Sequence, residues 1–168
     1  MALKENGTYF IYTVQPGDTL YSIAGMLGGK VEDITQMNAL YPPFTDPGLV
    51  YAGQQIIVFY PFNPRRQVVY FVQPGDMLYR IAQRFGLTVR ELKSMNPHIQ
   101  DMNTLSVFDM LELPLGVYMM EPGDSIAAIS QKLGVSQNAF VQLNHGRAHF
   151  SPDVLYPGYA LLSPAPHN

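Results

Sequence analysis

The chain has no cysteine in its 168 residues, which excludes disulfides and thiolate metal centres. A secreted module of about 45 residues normally needs such staples, so any small units here must be held by compact packing or by their neighbours. Net charge is −3, which leaves no general electrostatic case for nucleic acid or anionic lipid. No apolar run approaches the roughly 20 residues needed to cross a bilayer, so no membrane insertion is expected. The stretch Met1 to Gly7 lacks the basic and apolar regions of a signal peptide, leaving the export route open. There is no Gly-x-Ser-x-Gly, no phosphate loop and no Cys nucleophile. The expectation is a chain with no catalytic residues, no cofactor and no metal.

What the chain does have is repetition. Pro-Gly-Asp occurs as Pro16-Gly17-Asp18, Pro74-Gly75-Asp76 and Pro122-Gly123-Asp124. An Asn follows each Asp by 20 positions, at Asn38, Asn96 and Asn144. A fixed phrase in fixed register means one design used three times. A β-type run precedes each turn: Tyr9 to Val14, Val68 to Val72, and Val117 to Met120. Each Asp stands where a helix N-cap belongs, and that is the structural role expected of it.

An apolar stripe at i, i+3, i+4, i+7 then marks a helix with one buried face: Leu20, Ile23, Ala24, Leu27 and their counterparts. Gly28, Gly86 and Gly134 stop it. A second short helix ends at the repeated Asn, which is read as structural. Its start is well signed by the capping box Thr88/Glu91 and by Ser136, and poorly by Lys30, which cannot accept the bond. A final strand follows a polar loop: Gln55 to Phe59, Met110 to Leu113, and Tyr159 to Leu162.

The fold class is therefore α+β, three tandem βααβ modules at residues 9–59, 68–114 and 117–163, each with a two-stranded antiparallel sheet and two helices on one face. The linker 60–67 carries Pro61 and Pro64, whereas the Leu115-Gly116 joint is very short. That contrast predicts that modules two and three touch more closely than one and two, with module one the most independent.

The string from Tyr12 to Ala24, with Asn38 and a late Ala52-Gly53-Gln54, resembles the LysM domain. Modules two and three match through Val72 to Ala82 and Pro122 to Ile129, and the resemblance covers about 150 of the 168 residues. It implies a non-catalytic βααβ module that binds N-acetylglucosamine glycans, peptidoglycan or chitin, in a groove between the loop after the first strand and the loop before the second. Carried over by position, the lips of module one are Gly17, Asp18, Thr19 and Leu20, facing Leu49, Val50 and Tyr51. Those of module two are Gly75, Asp76, Met77 and Leu78, facing Leu105, Ser106 and Val107. Those of module three are Gly123, Asp124, Ser125 and Ile126, facing Val154, Leu155 and Tyr156. Such a site pairs exposed backbone with the sugar amide and covers the acetyl methyl with Leu or Val.

In this alignment Ser106 replaces an apolar lip residue and Asp109 replaces the late Gly, so module two is expected to bind weakest and module one strongest. The resemblance also implies a bacterial cell-wall or spore-wall location, since secreted eukaryotic versions commonly carry disulfides. The rivals are the targeting segment of a larger wall hydrolase, and a coat-assembly module that lost its groove; protein partners are unknown. A helix-turn-helix DNA reader fails because the second helices are not basic. His145 and His149 have i, i+4 spacing but sit beside Gly146 in a loop. Asp101, Asp109 and Glu112 share a region without paired-acid geometry.

Overall fold

A computed structural model of the chain describes residues 6–43, 45–46, 48–99, 105–153 and 156–164. Module one comprises β1 (Gly7–Thr13), α1 (Leu20–Leu27), α2 (Val31–Met37) and β2 (Gln55–Tyr60). Module two comprises β3 (Arg66–Phe71), α3 (Leu78–Arg84), α4 (Val89–Met95) and β4 (Met110–Leu113). Module three comprises β5 (Leu115–Met119), α5 (Ile126–Leu133), α6 (Gln137–Asn144) and β6 (Ala160–Pro164). Each module has its antiparallel pair, β1 with β2, β3 with β4 and β5 with β6.

Helix ends follow the residue chemistry. Thr88 and Glu91 form the capping box, and the Ser136 hydroxyl accepts the Ala139 N–H. Lys30 makes no side-chain cap. Gly28, Gly86 and Gly134 all take positive φ (76°, 67° and 67°). The next N–H returns to a carbonyl five residues back in each case, Gly29 to Ala24, Leu87 to Ala82 and Val135 to Ser130. Lys30→Ser is expected to raise stability by about 0.5–1 kcal/mol, and Thr88→Ala to lower it by about 1 kcal/mol, both read from urea unfolding midpoints.

Module one is not the independent member expected. β1 pairs in parallel with β3, Tyr9 beside Val68 and Ile11 beside Tyr70, so modules one and two share one four-stranded sheet in the order β2-β1-β3-β4. The physical reason is that β1 and β2 are apolar on both sides. Phe10, Tyr12, Ile56 and Val58 face α1 and α2 with Leu20, Ile23 and Ile34. Tyr9, Ile11, Ile57 and Phe59 point the other way and need a second cover. A two-stranded sheet with helices on one face alone would leave those four in water. Burying them contributes roughly 6–12 kcal/mol at about 1.5–3 kcal/mol each.

The second cover comes from both other modules. α3 and α4 pack on that side against Val68, Tyr70, Leu111 and Leu113, and Leu115, Val117, Leu143 and Leu162 of module three complete the same cluster. Module three also reaches module one directly, through a bridge between Gln55 and Arg147 and a bond from Ala148 N–H to Gln55 C=O of 3.0 Å. Arg84 of α3 donates to the carbonyls of Gln142, Leu143 and His145 at 3.0, 3.0 and 2.8 Å. The closeness expected between modules two and three is present, but it is matched by the sheet joining one and two.

The repeated Asn residues are buried pins. Asn38 Nδ2 donates to the carbonyls of Ile34 (2.9 Å) and Ile57 (2.7 Å), and its Oδ1 accepts the Ile57 N–H at 2.8 Å. Asn96 ties α4 to Glu112, and Asn144 ties α6 to Leu162, in the same pattern. Each therefore ends its second helix and fixes that helix to the last strand.

Candidate functional site

The Pro-Gly-Asp turn is built the same way three times. Its Gly takes positive φ, 88° at Gly17, 83° at Gly75 and 86° at Gly123, a conformation only Gly adopts without cost. The Asp is not the helix cap expected. Asp18 Oδ2 accepts the Gln15 N–H at 2.8 Å and the hydroxyl of Tyr12. Asp76 does so with Gln73 (2.8 Å) and Tyr70 (2.6 Å), and Asp124 with Glu121 (2.8 Å) and Tyr118 (3.0 Å). The carboxylate thus closes its own turn and clamps it to the strand before. The cap falls one residue later. Thr19 and Ser125 accept from Ser22 and Ala128, while Met77 holds the same place without a side-chain cap.

Burial, with the Asp bond and charge behind it, pushes the Tyr12 and Tyr70 hydroxyls well above their ordinary range and Tyr118 up to about 12. A raised folded-state value means the proton is held more tightly than in the unfolded chain. This stability is complete below the unfolded value near 10 and is lost as pH rises from 10 through 12. Urea midpoints measured from pH 9 to 12 are expected to fall, and Tyr118→Phe to flatten the fall.

Across from each turn lies the loop before the last strand. Gly53 N–H bonds Val14 C=O at 2.8 Å, Gly158 N–H bonds Met120 C=O at 2.7 Å, and the matching bond in module two runs from Phe108 N–H to Val72 C=O at 2.7 Å. Phe108 therefore holds the late-Gly position, at φ 68°. Asp109 lies one place on, its Oδ2 accepting the Ser106 N–H as Gln54 Oε1 accepts that of Tyr51. This corrects the expected alignment by one residue. Leu105 sits at the place of Val50, and Ser106 at that of Tyr51. Module two keeps its apolar lip. Phe108→Gly is expected to relieve the left-handed strain and raise stability by about 0.5–1 kcal/mol in a urea titration.

The expected lip residues fall into two groups. Leu20, Leu78 and Ile126 are buried, so they support the lips from beneath. Leu49, Tyr51 and Met77 present exposed side chains at 40%, 58% and 47%. Val50 and Leu105 are partly buried against their module cores. Gly17, Gly75 and Gly123 are exposed, Thr19, Ser106, Val107 and Ser125 also, and Tyr156 partly so. Val154 and Leu155 lie outside the described residues.

In module two the lips enclose a cavity of about 310 Å³, with Asp76, Met77 and Leu78 on one side and Leu105 on the other. Tyr79, Val89 and Lys93 complete its wall and were not among the expected residues. An available signal was Tyr at the second helical position, Tyr21 and Tyr79, off the buried stripe and exposed at 77% and 51%. The cavity offers apolar cover and one ammonium.

The other candidates have structural employment. Glu112 pairs with Arg65 at 2.7 Å, Asp109 closes its turn, and Asp101 lies outside the described residues. His145 accepts from Arg84 through its carbonyl. Among the described residues no group of three or more His, Cys, Asp or Glu is placed to hold a metal, and no helix is long and apolar enough to cross a membrane.

The chain is 33% identical over 104 residues to the membrane-bound lytic murein transglycosylase D of Escherichia coli, covering 58% of the chain and 23% of that protein. It is 35% identical over 99 residues to the cell wall-binding protein YocH of Bacillus subtilis, covering 56% of the chain and 32% of that protein. Among solved structures it resembles the Bacillus cereus spore cortex-lytic enzyme SleL, at 32% identity and a TM-score of 0.45, covering 68% of the chain and 23% of that structure. The chain thus spans less than a third of the length of these proteins. The LysM domain model matches residues 12–59, 70–114 and 118–164, and the chain belongs to the LysM domain family.

Proposed function

We propose that this chain is a non-catalytic binder of N-acetylglucosamine-containing glycans, peptidoglycan first and chitin as its chemical relative, anchoring to a bacterial cell wall or spore wall. The observation that carries this reading is the module two cavity, bounded by the Asp76–Leu78 turn and by the apolar side chains of Met77 and Leu105. An acetamido group presents an amide donor, a carbonyl acceptor and a methyl. Loop backbone pairs with the first two, and the apolar lip covers the third, worth about 1 kcal/mol by area. The carboxylates at the grooves are engaged in their own turns, which favours binding over acid–base chemistry.

With Leu105 restored to the lip, module two is a working site comparable to module one rather than the weakest of the three. The test is co-sedimentation of the full chain with insoluble peptidoglycan and with chitin, competed by a soluble N-acetylglucosamine tetramer. Retention on neither polymer overturns the reading. A second reading makes the chain the targeting segment of a wall enzyme, supported by the transglycosylase relative. Release of reducing sugars by the chain alone would contradict the non-catalytic assignment.

A further inference from the structure

The parallel pairing of β1 with β3 fixes where two of the grooves stand. Both strands run into their Pro-Gly-Asp turns at the same end of the sheet, where the Gln15 side-chain amide donates to Gln73 Oε1 at 3.2 Å. The helices of the two modules, however, lie on opposite sides. α1 and α2 cover the side of Tyr12, Ile56 and Val58, whereas α3 and α4 cover that of Tyr70, Leu111 and Leu113. Strand order β2-β1-β3-β4 with opposed helices is a half-turn about an axis along the strands, between β1 and β3. The module two cavity reaches Val89 and Lys93 of α4, so it opens on the helix side of its module. By the half-turn, the module one groove opens on the other side.

We infer that modules one and two hold two separate glycan strands, one on each side of the shared sheet, so that the protein bridges strands instead of lying along one. This rests on the proposed glycan reading. A β-1,4-linked N-acetylglucosamine strand is a stiff extended ribbon. To fill both grooves it would have to fold back around the sheet end. Linking two sites to one polymer gains affinity only if the geometry permits simultaneous engagement. Here that gain is denied within one strand and granted between strands.

The test uses the full chain and two probes, the N-acetylglucosamine tetramer and a soluble, partly acetylated linear polymer of the same sugar. Static light scattering is followed as polymer is added. Bridging predicts a scattering maximum at intermediate ratio that collapses when polymer is in excess or when tetramer is added. Leu49→Asp and Met77→Glu change exposed lip side chains, one per module, and each is expected to lower the maximum at least five-fold while the unfolding midpoint holds. Polymer binding without a scattering rise, or a maximum that survives in both variants, overturns the inference and leaves glycan binding intact. Failure of the full chain to bind either probe overturns both.

Discussion

Module one expressed alone, residues 6–63, is expected to associate or fail to fold, where the intact chain gives a single cooperative transition. Excision would strip cover from Tyr9, Ile11, Ile57 and Phe59 and open the β1 edge that β3 occupies. The lost burial, roughly 6–12 kcal/mol, is as large as the whole stability of an ordinary domain. An unpaired apolar edge is a template for another chain. Sedimentation velocity and urea unfolding of the fragment supply the measurement. A monomeric fragment with a sharp transition would show that the shared sheet is dispensable. Residues 6–114, which keep the four strands together, are expected to fold with lower stability, because module three no longer covers β1 and β2.

Asn38→Ala is expected to cost on the order of 4 kcal/mol. The side chain satisfies both backbone groups of Ile57 and the carbonyl of Ile34, all away from water. Each buried group left without a partner costs about 1–3 kcal/mol. Asn38 also has a partner that, among the described residues, its counterpart Asn96 lacks. Arg147, 4% exposed, donates from Nη2 to Asn38 Oδ1 at 3.3 Å and from Nη1 to Asn144 Oδ1 at 2.8 Å, and also to the Ala160 carbonyl. One guanidinium thus joins the pins of modules one and three, and burial lowers its pKa. Asn96→Ala is therefore expected to cost less than Asn38→Ala by about 1 kcal/mol. A double-mutant cycle of Asn38→Ala with Arg147→Met, read by urea unfolding, is expected to show coupling of about 1 kcal/mol, and zero coupling would remove Arg147 from the account.

Much of this fold was legible in the residues. The helix stripes, the Gly stops, the Thr88 and Ser136 caps and the structural Asn all follow from local rules, and local rules depend on few neighbours. Two things were misread for identifiable reasons. Asp18 looked like a helix cap because its position relative to Leu20 suits one. Its competitor was Tyr12, whose hydroxyl reaches it across the turn. The shared sheet had a visible sign that a linker-length comparison obscured. Tyr9 to Tyr12 and Ile56 to Phe59 are continuous apolar runs, the pattern of strands buried on both faces. In the candidate site, loop register was the illegible part. The loop from Asn96 to Met110 gives no count of its own, and the bonds of Val72 with Phe108 and Asp109 set Leu105 opposite the turn.

The half-turn also shows why the copies have diverged. Positions occupied by Tyr9, Ile11, Ile57 and Phe59 in module one hold Gln67, Val69, Glu112 and Pro114 in module two. The first set lies beneath module three and the helices of module two, whereas Gln67, Val69 and Glu112 face a hollow where Gln67 and Glu112 bond each other at 3.1 Å and remain partly open to solvent. Differences between repeats record which neighbour each copy has. The order of the modules is consequently written into their strands: exchanging one with two would seal Glu112 under module three and leave Ile57 wet. Engineers shuffling such units as interchangeable beads would have to transplant the strand faces along with the grooves.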